Sequence, residues 1–483
     1  MNTTDWNCQR VVILGAARQG QALARYLAIH GAKVTLSDLK PASEMQLVQE
    51  SLASLQIEFV FGGHPLEMLD EADMLCLSGS VPLNAPIVQE ARRRGMPLLN
   101  DSQVFMEAAP CPVVGITGSA GKTTTTILLG RICQAAAESQ ERPLFRKVWV
   151  GGNIGTPMIA AVDEMRPDDL AVVEFSSFQL EIMTCSPQVA VVLNVTPNHL
   201  DRHGDMEAYL SAKSRILEFQ RPGDTAILGR DDPGAWSLVD SARGPIISFG
   251  LSHDDLPSSV IGDVSIQGET ILLRRMKPDA ASVEAIPIMP VAKIGLRGAH
   301  NLLNVLAACA AAYAVNLDKA AMMRGVEGFT GVAHRLEFVR SWGGATWYND
   351  SIATTPERVI AAIRSFDEPL LLLLGGRDKK LPWEDLADLI HQRVDGVVVF
   401  GEARTKILDA LESAGATSGA ANRRKSPLTI RSCSSLRQAV REAADLITPG
   451  QVVLLSPGGT SFDEFKDFED RGKCFARWVN ELP

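Results

Sequence analysis

The chain has 483 residues, which at roughly 100 to 200 residues per domain predicts two to four globular units, with three as the central expectation. Lys and Arg number 47 and Asp and Glu 57, a formal net charge of −10, which argues against a general nucleic-acid binder and confines any phosphate site to a local patch. Charged residues at 22% and hydrophobic ones at 46% are ordinary globular values, and the longest aliphatic run, Leu370 to Leu374, is far too short to span a bilayer.

No long apolar stretch precedes the first strand-like segment, so a cytoplasmic location is expected. The eight cysteines form no CxxC pair, which makes a zinc knuckle or a disulfide framework improbable and predicts small buried groups or unpaired thiols.

Three times an apolar run breaks at glycine and gives way to a helical pattern: Val11 to Gly15, Val113 to Gly118 and Leu370 to Gly376. Each reads as the opening of a wound α/β unit, whose parallel strands are buried on both faces and therefore lack alternation. The runs Ala171 to Val173, Ala190 to Leu193, Val397 to Phe400 and Val452 to Leu455 fit the same pattern. Ser252 to Pro290 mixes short β-like runs with Gly, Pro and Asp and reads as a β insertion or meander. Asn301 to Ala314 is an alanine-rich helix with a packing face. Domain boundaries are placed near residues 107 and 331.

In the first glycine turn, Gly15 and Gly20 open a helix and Asp38 closes the next strand. The spacing approximates a dinucleotide fingerprint, but Ala17 stands where the second glycine is wanted for close approach to a pyrophosphate. A structural turn, a nucleotide held at the helix N-terminus and a nicotinamide dehydrogenase all remain open on this segment alone.

The second turn is more specific. Gly118, Ser119, Gly121, Lys122, Thr123 and Thr124 follow an apolar strand and precede a helix expected to begin near Thr125. Glycines let backbone N–H groups converge on phosphate oxygens, Lys122 adds a mobile charge, and the Thr123 hydroxyl can ligate magnesium. ATP or GTP is expected here. Glu174 ends a later strand and offers a hard oxygen ligand, although alone it would read as a solvated strand end; Ser176 and Gln179 follow as polar groups for a second substrate. His199, in Asn194 to His203, lies where another strand emerges, without the cysteines or third histidine of a zinc site.

Together these segments resemble the Mur ligases of peptidoglycan precursor synthesis. The resemblance is carried by TGSAGKTT (117–124), GGNIGTP (151–157), VEFSSFQLE (173–181), NVTPNHLDRH (194–203) and YLSAKSRI (209–216). AHRLE (333–337), NDSIATTP (349–356), LGGRDK (374–379) and SPGGTSFDEFKDFEDRG (456–472) resemble the D-glutamate-adding branch of that family. The similarity runs from about residue 11 to 479.

The resemblance implies three α/β domains, each a wound, mostly parallel sheet. These are a Rossmann-like UDP-sugar domain (1–107), a central P-loop ATPase (108–331) and a Rossmann-like amino-acid domain (332–483). It implies ATP-dependent joining of D-glutamate to UDP-N-acetylmuramoyl-L-alanine through an acyl phosphate, by a cytoplasmic monomer without nucleic-acid or membrane partners. The alternative is a related Mur or folylpolyglutamate-type ligase using L-glutamate or another amino acid.

By the family's pattern, Ala16, Asp38, Ser78, Gly79, Ser80 and Asn153, with Ser176 and Gln179, serve the UDP-sugar. Arg335 and Asp350 join the P-loop residues in holding ATP, and Thr354, Lys379, Ser461 and Phe468 hold glutamate. Thr123 and Glu174 hold one magnesium ion. His199 and Lys213 support a second, Lys213 as a carbamate formed from carbon dioxide. Read without the family, Lys213 is a solvated lysine on an amphipathic helix, Ser461 a turn residue and Phe468 a core aromatic. Three positions depart from the family's pattern: Ala120 and Gly229 stand where Asn is usual, and Ile352 replaces a lysine found in some members.

Overall fold

The computed structural model describes residues 5–79, 81–139, 143–252, 258–276, 283–379, 381–417 and 428–483. Ser80 therefore lies outside the described residues, as do parts of the Ser252 to Pro290 segment.

Three sheets follow one another along the chain. The first contains β1 (Arg10–Leu14), β2 (Lys33–Asp38), β3 (Ile57–Phe61), β4 (Met74–Leu77) and β5 (Leu98–Leu99), in the order β3-β2-β1-β4-β5, every pairing parallel. The order reverses beside β1. Such a reversal opens a crevice at the strands' carboxyl ends, where Gly15 and Ser78 lie.

The second sheet has β6 (Val113–Thr117), β7 (Val148–Gly152), β8 (Leu170–Glu174), β9 (Val189–Val192), β10 (Thr225–Gly229) and β11 (Ile246–Gly250), then β12 (Val260–Gln267), β13 (Thr270–Met276) and β14 (Val283–Pro290). Its order is β14-β13-β12-β11-β10-β9-β6-β8-β7, so β6 sits between β9 and β8 at a second reversal. From β12 to β14 the pairing is antiparallel, which is the expected meander. The third sheet orders β15 (Glu337–Trp342), β16 (Ala345–Asn349), β17 (Leu370–Gly375), β18 (Val394–Phe400), β19 (Thr429–Ser432) and β20 (Val452–Gly458) as β15-β16-β20-β17-β18-β19, with only β15 antiparallel.

Every residue of β6, β8, β9 and β17 is buried, which explains the unbroken aliphatic runs: helices cover both faces and leave no side for polar residues. The Ala299–Ala314 helix is buried all round from Asn304 to Ala312, more completely than a single packing face requires. Its small side chains let the Lys122–Ser139 helix approach closely. That second helix begins at Lys122, three residues before the expected start, because Thr125 N–H already bonds the Gly121 carbonyl at 3.0 Å. Tertiary packing outweighs the weak helix preference of its threonines. All eight cysteines are free, five of them buried.

By internal contacts the chain forms two compact units. One is Met1–Ile294 with Ala299–Phe329, which contains the first two sheets; the other is Gly295–Gly298 with Thr330–Pro483.

Candidate active site

The glycine turn after β6 is built for close approach. Gly121 has φ of 85°, a left-handed conformation, and a Cβ there would overlap the Asn304 side-chain oxygen. Lys122 Nζ folds back to donate to the Gly118 carbonyl at 2.9 Å, and Thr123 Oγ1 donates to Glu174 Oε2 at 2.8 Å. The other Glu174 oxygen, Oε1, accepts from Asn153 Nδ2 at 3.0 Å. Glu174 is only 2% exposed, so the expectation of a solvated strand end is corrected: β8 carries the carboxylate under the P-loop, where Thr123 and Asn153 replace water.

Lys213 is corrected in the same direction. The Met206–Glu218 helix turns this residue inward, where it is 1% exposed. Its Nζ donates to the Gly118 carbonyl at 2.9 Å and lies 4.7 Å from the Tyr209 ring centroid. Burial, then repulsion by Lys122, hold its pKa well below the ordinary lysine range, with Glu174 opposing. One carbonyl, that of Gly118, thus faces two lysines.

His199 has φ of 55° and packs edge-on against Phe178, ring centroids 5.1 Å apart. Phe178 stacks on His203 at 5.2 Å, and His203 in turn touches Tyr209, the ring beneath Lys213. The structure therefore brings Lys122, Thr123, Glu174 and Lys213 together around one glycine turn and joins His199 to it through three rings. Among the described residues no three His, Cys, Asp or Glu side chains converge to hold a metal. A hydroxyl and a carboxylate 2.8 Å apart suit magnesium, which takes few protein oxygens and completes its shell with water and phosphate.

Two residues that sequence reasoning left without a role shape this turn. Asn194 Oδ1 accepts from Ala120 N–H at 2.8 Å while its Nδ2 donates to the Ala120 carbonyl at 3.1 Å. The missing side chain at Ala120 therefore leaves the loop clamped through its backbone. Asn304 is the second: its side-chain oxygen faces Gly121 and accepts from Thr125 Oγ1 at 3.4 Å. A polar residue inside an alanine-rich run was the available signal.

At the first sheet, Asp38 turns both carboxylate oxygens onto backbone: Oδ2 accepts from Ala16 N–H at 2.8 Å and Oδ1 from Lys40 N–H at 3.0 Å. Ser78 Oγ donates to the Gly15 carbonyl at 3.0 Å, and a Cβ at Gly20 would overlap that same carbonyl. Gly79 faces the Phe178 side chain, so the loop after β4 meets the ring cluster of the second sheet. Ser176 and Gln179 form a reciprocal capping box on the Ser177–Leu180 turn. Gln179 is buried beside Asp101, whose carboxyl burial pushes up to about 6.

In the second unit, His334 and Leu336 have φ of 65° and 44° on either side of Arg335, a left-handed backbone that is costly for both and holds that arginine in a fixed turn. Asp350 accepts from Leu336 N–H at 3.2 Å and from Ser456 Oγ at 2.8 Å, and burial pushes its carboxyl up to about 7. Lys379 Nζ donates to Thr354 Oγ1 at 3.2 Å. Ser461 is buried rather than an open turn residue: it lies in the loop that follows β20, where its carbonyl accepts from Glu464 N–H at 3.1 Å and Phe465 N–H at 2.8 Å. Phe468 is half-buried at the start of the Phe468–Asn480 helix, and its carbonyl accepts from Ser351 Oγ at 2.8 Å. The residue that unites these loops was missed. Arg471, wholly buried, donates to Ser351 Oγ at 2.9 Å, to the Ser351 carbonyl at 2.8 Å and to the Gly459 carbonyl at 3.1 Å.

Family models cover most of the chain in order: a MurD-like N-terminal domain over residues 9–100, the Mur ligase middle domain over 116–312, and the glutamate ligase domain over 334–459. The chain belongs to the Mur ligase family. Its relatives within that family include UDP-N-acetylmuramoylalanine--D-glutamate ligases of Symbiobacterium thermophilum, 36% identical over 98% of both chains, and of Acidobacterium capsulatum, 37% identical over 97% of this chain and 95% of that one. Among solved structures, UDP-N-acetylmuramate-alanine ligase MurC from Thermotoga maritima superposes with a TM-score of 0.56 at 18% identity, covering 98% of this chain and 99% of that one. MurF from Acinetobacter baumannii gives 0.55 at 17%, covering 98% and 93%. At such identities these two support the Mur ligase fold alone.

Proposed function

We propose that this enzyme joins D-glutamate to UDP-N-acetylmuramoyl-L-alanine, with ATP converted to ADP and phosphate. The single observation that carries the reading is the convergence of Lys122, Thr123, Glu174 and Lys213 on one glycine turn. The full-length relatives named as D-glutamate ligases supply the substrates.

A free carboxylate is a poor electrophile, so amide formation needs it phosphorylated first. The alanyl carboxylate of the UDP-sugar attacks the γ-phosphate, ADP leaves, and the amine of glutamate then attacks the acyl phosphate and expels phosphate. The first step brings two anions together, so this chain must align them and cancel their repulsion. Lys122 can trade the Gly118 carbonyl for phosphate oxygens, and the family resemblance gives Arg335 the role of a second cation on ATP. Thr123 and Glu174 would hold one magnesium ion and His199 and Lys213 would support another; bound there, magnesium would neutralise phosphate charge.

Lys213 is suited to carbamylation because burial favours its neutral, nucleophilic amine. Attack on carbon dioxide forms an N–C bond and releases a proton to solvent, which converts a group repelled by a divalent cation into one attracted to it. Ala16, Asp38, Ser78, Gly79, Ser80 and Asn153, with Ser176 and Gln179, serve the UDP-sugar. Asp350 serves ATP, and Thr354, Lys379, Ser461 and Phe468 serve glutamate, the Lys379 ammonium taking a carboxylate. The working modules are 1–107, 108–331 and 332–483. The chain is read as a cytoplasmic monomer; among the described residues no helix is long and apolar enough to cross a membrane.

Phosphate release with UDP-N-acetylmuramoyl-L-alanine and either D- or L-glutamate tests the reading. Turnover is expected with the D-isomer and not with the L-isomer. Equal turnover with L-glutamate would favour the related-ligase alternative.

A further inference from the structure

The loop after β4 and the rings beside Lys213 belong to different sheets of the first unit, and one side chain grips both. The loop folds back on itself, with Val81 N–H donating to the Ser78 carbonyl at 2.9 Å, and Ser78 Oγ fastens its leading end to the Gly15 turn. Its trailing end is fastened from the segment after β9, where Arg202 Nη2 donates to the Val81 carbonyl at 2.5 Å. The same guanidinium lies over the Phe178 ring, with Cζ 4.4 Å from the centroid. Gly79, between the two fastenings, is the residue that faces Phe178.

Arg202 is joined to His199 through the backbone as well. His199 opens the Leu200–His203 turn at a φ of 55°, a left-handed conformation that a residue bearing a Cβ keeps only where its surroundings impose it. Its carbonyl accepts from Arg202 N–H and from His203 N–H, each at 3.0 Å. His203 Nε2 lies 3.0 Å from Ser177 Oγ, so the turn is tied again to the Ser177–Leu180 segment that carries Phe178. Arg202 therefore holds the first sheet's loop by its side chain and the His199 turn by its main chain. Val81 is only half-buried, and water would satisfy its carbonyl without ordering a long side chain. A guanidinium can lie flat on a ring and still donate at its edge, which an ammonium cannot do.

We propose that Arg202 is a positioning residue for the first chemical step: it fixes the Ser78–Val81 loop against the His199 turn and so sets the spacing between the sugar nucleotide and the P-loop. Its action runs through the Val81 carbonyl, the Phe178 ring and His199. The assignment rests on the D-glutamate ligase reading and deepens it. In that reading the uridine end of the acid is held by the first sheet and ATP by the second, while the reacting carboxylate lies at the far end of the sugar nucleotide. Play between loop and turn is therefore delivered to the carboxylate, where a misplacement of about 1 Å costs about 100-fold in rate.

The test uses the full-length enzyme with Arg202→Ala, Arg202→Lys and Phe178→Leu, the last keeping apolar bulk while removing the ring face. With all substrates saturating, Arg202→Ala is expected to lower kcat by about tenfold to 100-fold, with the KM values for ATP and D-glutamate held within about twofold. Titration calorimetry without ATP should show UDP-N-acetylmuramoyl-L-alanine binding about fivefold more weakly, the loss of one hydrogen bond behind the loop. Arg202→Lys recovers part of both losses, since a donor to Val81 returns without the flat stack, and Phe178→Leu shows the fall in kcat with Val81 still bonded. Thermal unfolding establishes that each variant is folded; a purely structural role would lower the unfolding midpoint and leave the binding constants of the folded protein as in wild type. An unchanged kcat, unchanged binding of the sugar nucleotide, equal weakening toward ATP, or a Lys variant no better than Ala overturns the assignment. A wild-type enzyme that releases no phosphate with D-glutamate overturns the functional reading itself; an active wild type with an unaltered Arg202→Ala variant overturns only the role of Arg202.

Discussion

Lys213 and Asp350 are both ionisable groups whose surroundings oppose charge, and the consequences differ because one is a base and the other an acid. For Lys213, burial favours the neutral amine, the form that reacts with carbon dioxide. Lys213→Ala is expected to lower kcat by about 100-fold or more, the upper range for groups that support a metal, and a short-chain carboxylate added to the assay should restore part of it. An unimpaired variant would remove Lys213 from the mechanism. For Asp350, the folded pKa of about 7 lies above the ordinary aspartate value of 3.8, so the folded state holds its proton over a range in which the unfolded chain has lost it. The stability this contributes is complete below about pH 4 and is lost as pH rises through about 7; Arg335 and Arg358, which favour the anion, reduce the shift. Urea denaturation of the wild type against Asp350→Asn, between pH 4 and pH 8, should show the wild type losing up to about 4 kcal/mol relative to the variant, from a shift of about three pH units. A difference that does not change with pH would mean that Asp350 is ionised in the fold. Neither shift was legible in the sequence. Residue type and spacing give helix phase, but whether a helix face meets solvent or a P-loop depends on distant chain: Lys213 is 95 residues from the Gly118 carbonyl it bonds.

The strand, turn and helix around Gly118 to Lys122 illustrate the opposite case. A buried parallel strand demands an apolar run, a phosphate-sized turn demands glycine, and the helix must follow at once, so the element is written in contiguous residues. The same locality made β1 and β17 readable. What holds the turn in shape is not contiguous with it. Asn194 clamps both polar groups of Ala120 from the end of β9, and Ser119 Oγ donates to the Thr196 carbonyl at 2.9 Å from the same segment. Asn194→Ala leaves the Ala120 backbone without either partner. It is expected to raise the KM for ATP by about tenfold, the worth of one or two hydrogen bonds at about 1 kcal/mol each, while the KM for D-glutamate stays unchanged. ATP titrations at saturating levels of the other substrates measure this, and an unchanged KM for ATP would show that the loop holds itself. Arg471 illustrates the same limit in the second unit, where a buried guanidinium links residues 351 and 459, loops that no sequence window contains together.

At the scale of the whole molecule, the assigned side chains fall in both compact units. Asp38, Lys122, Glu174 and Lys213 belong to the first and Asp350, Lys379 and Ser461 to the second. The first unit holds two sheets and the second holds one; Asp38 bonds Ala16 and Lys40 in the first, and Lys379 bonds Thr354 in the second. The three-sheet plan was legible because each sheet announces itself with an apolar run ending at glycine; the grouping of two sheets into one unit was not, because it depends on contacts such as Asn100 Nδ2 donating to the Gln179 carbonyl at 2.8 Å. A double-mutant cycle on kcat/KM with Asp38→Ala and Lys379→Ala puts the independence of these two side chains to a measurement. The two penalties should add to within about 0.5 kcal/mol, as expected when two side chains bond different groups. Arg358→Ala and Lys379→Ala, by contrast, remove charges that already repel each other and should depart from additivity by about 0.5 kcal/mol or more. Coupling of the first pair as large as that of the second would mean that sugar-nucleotide binding is sensed in the amino-acid domain, and the units would then have to be treated as one device during turnover.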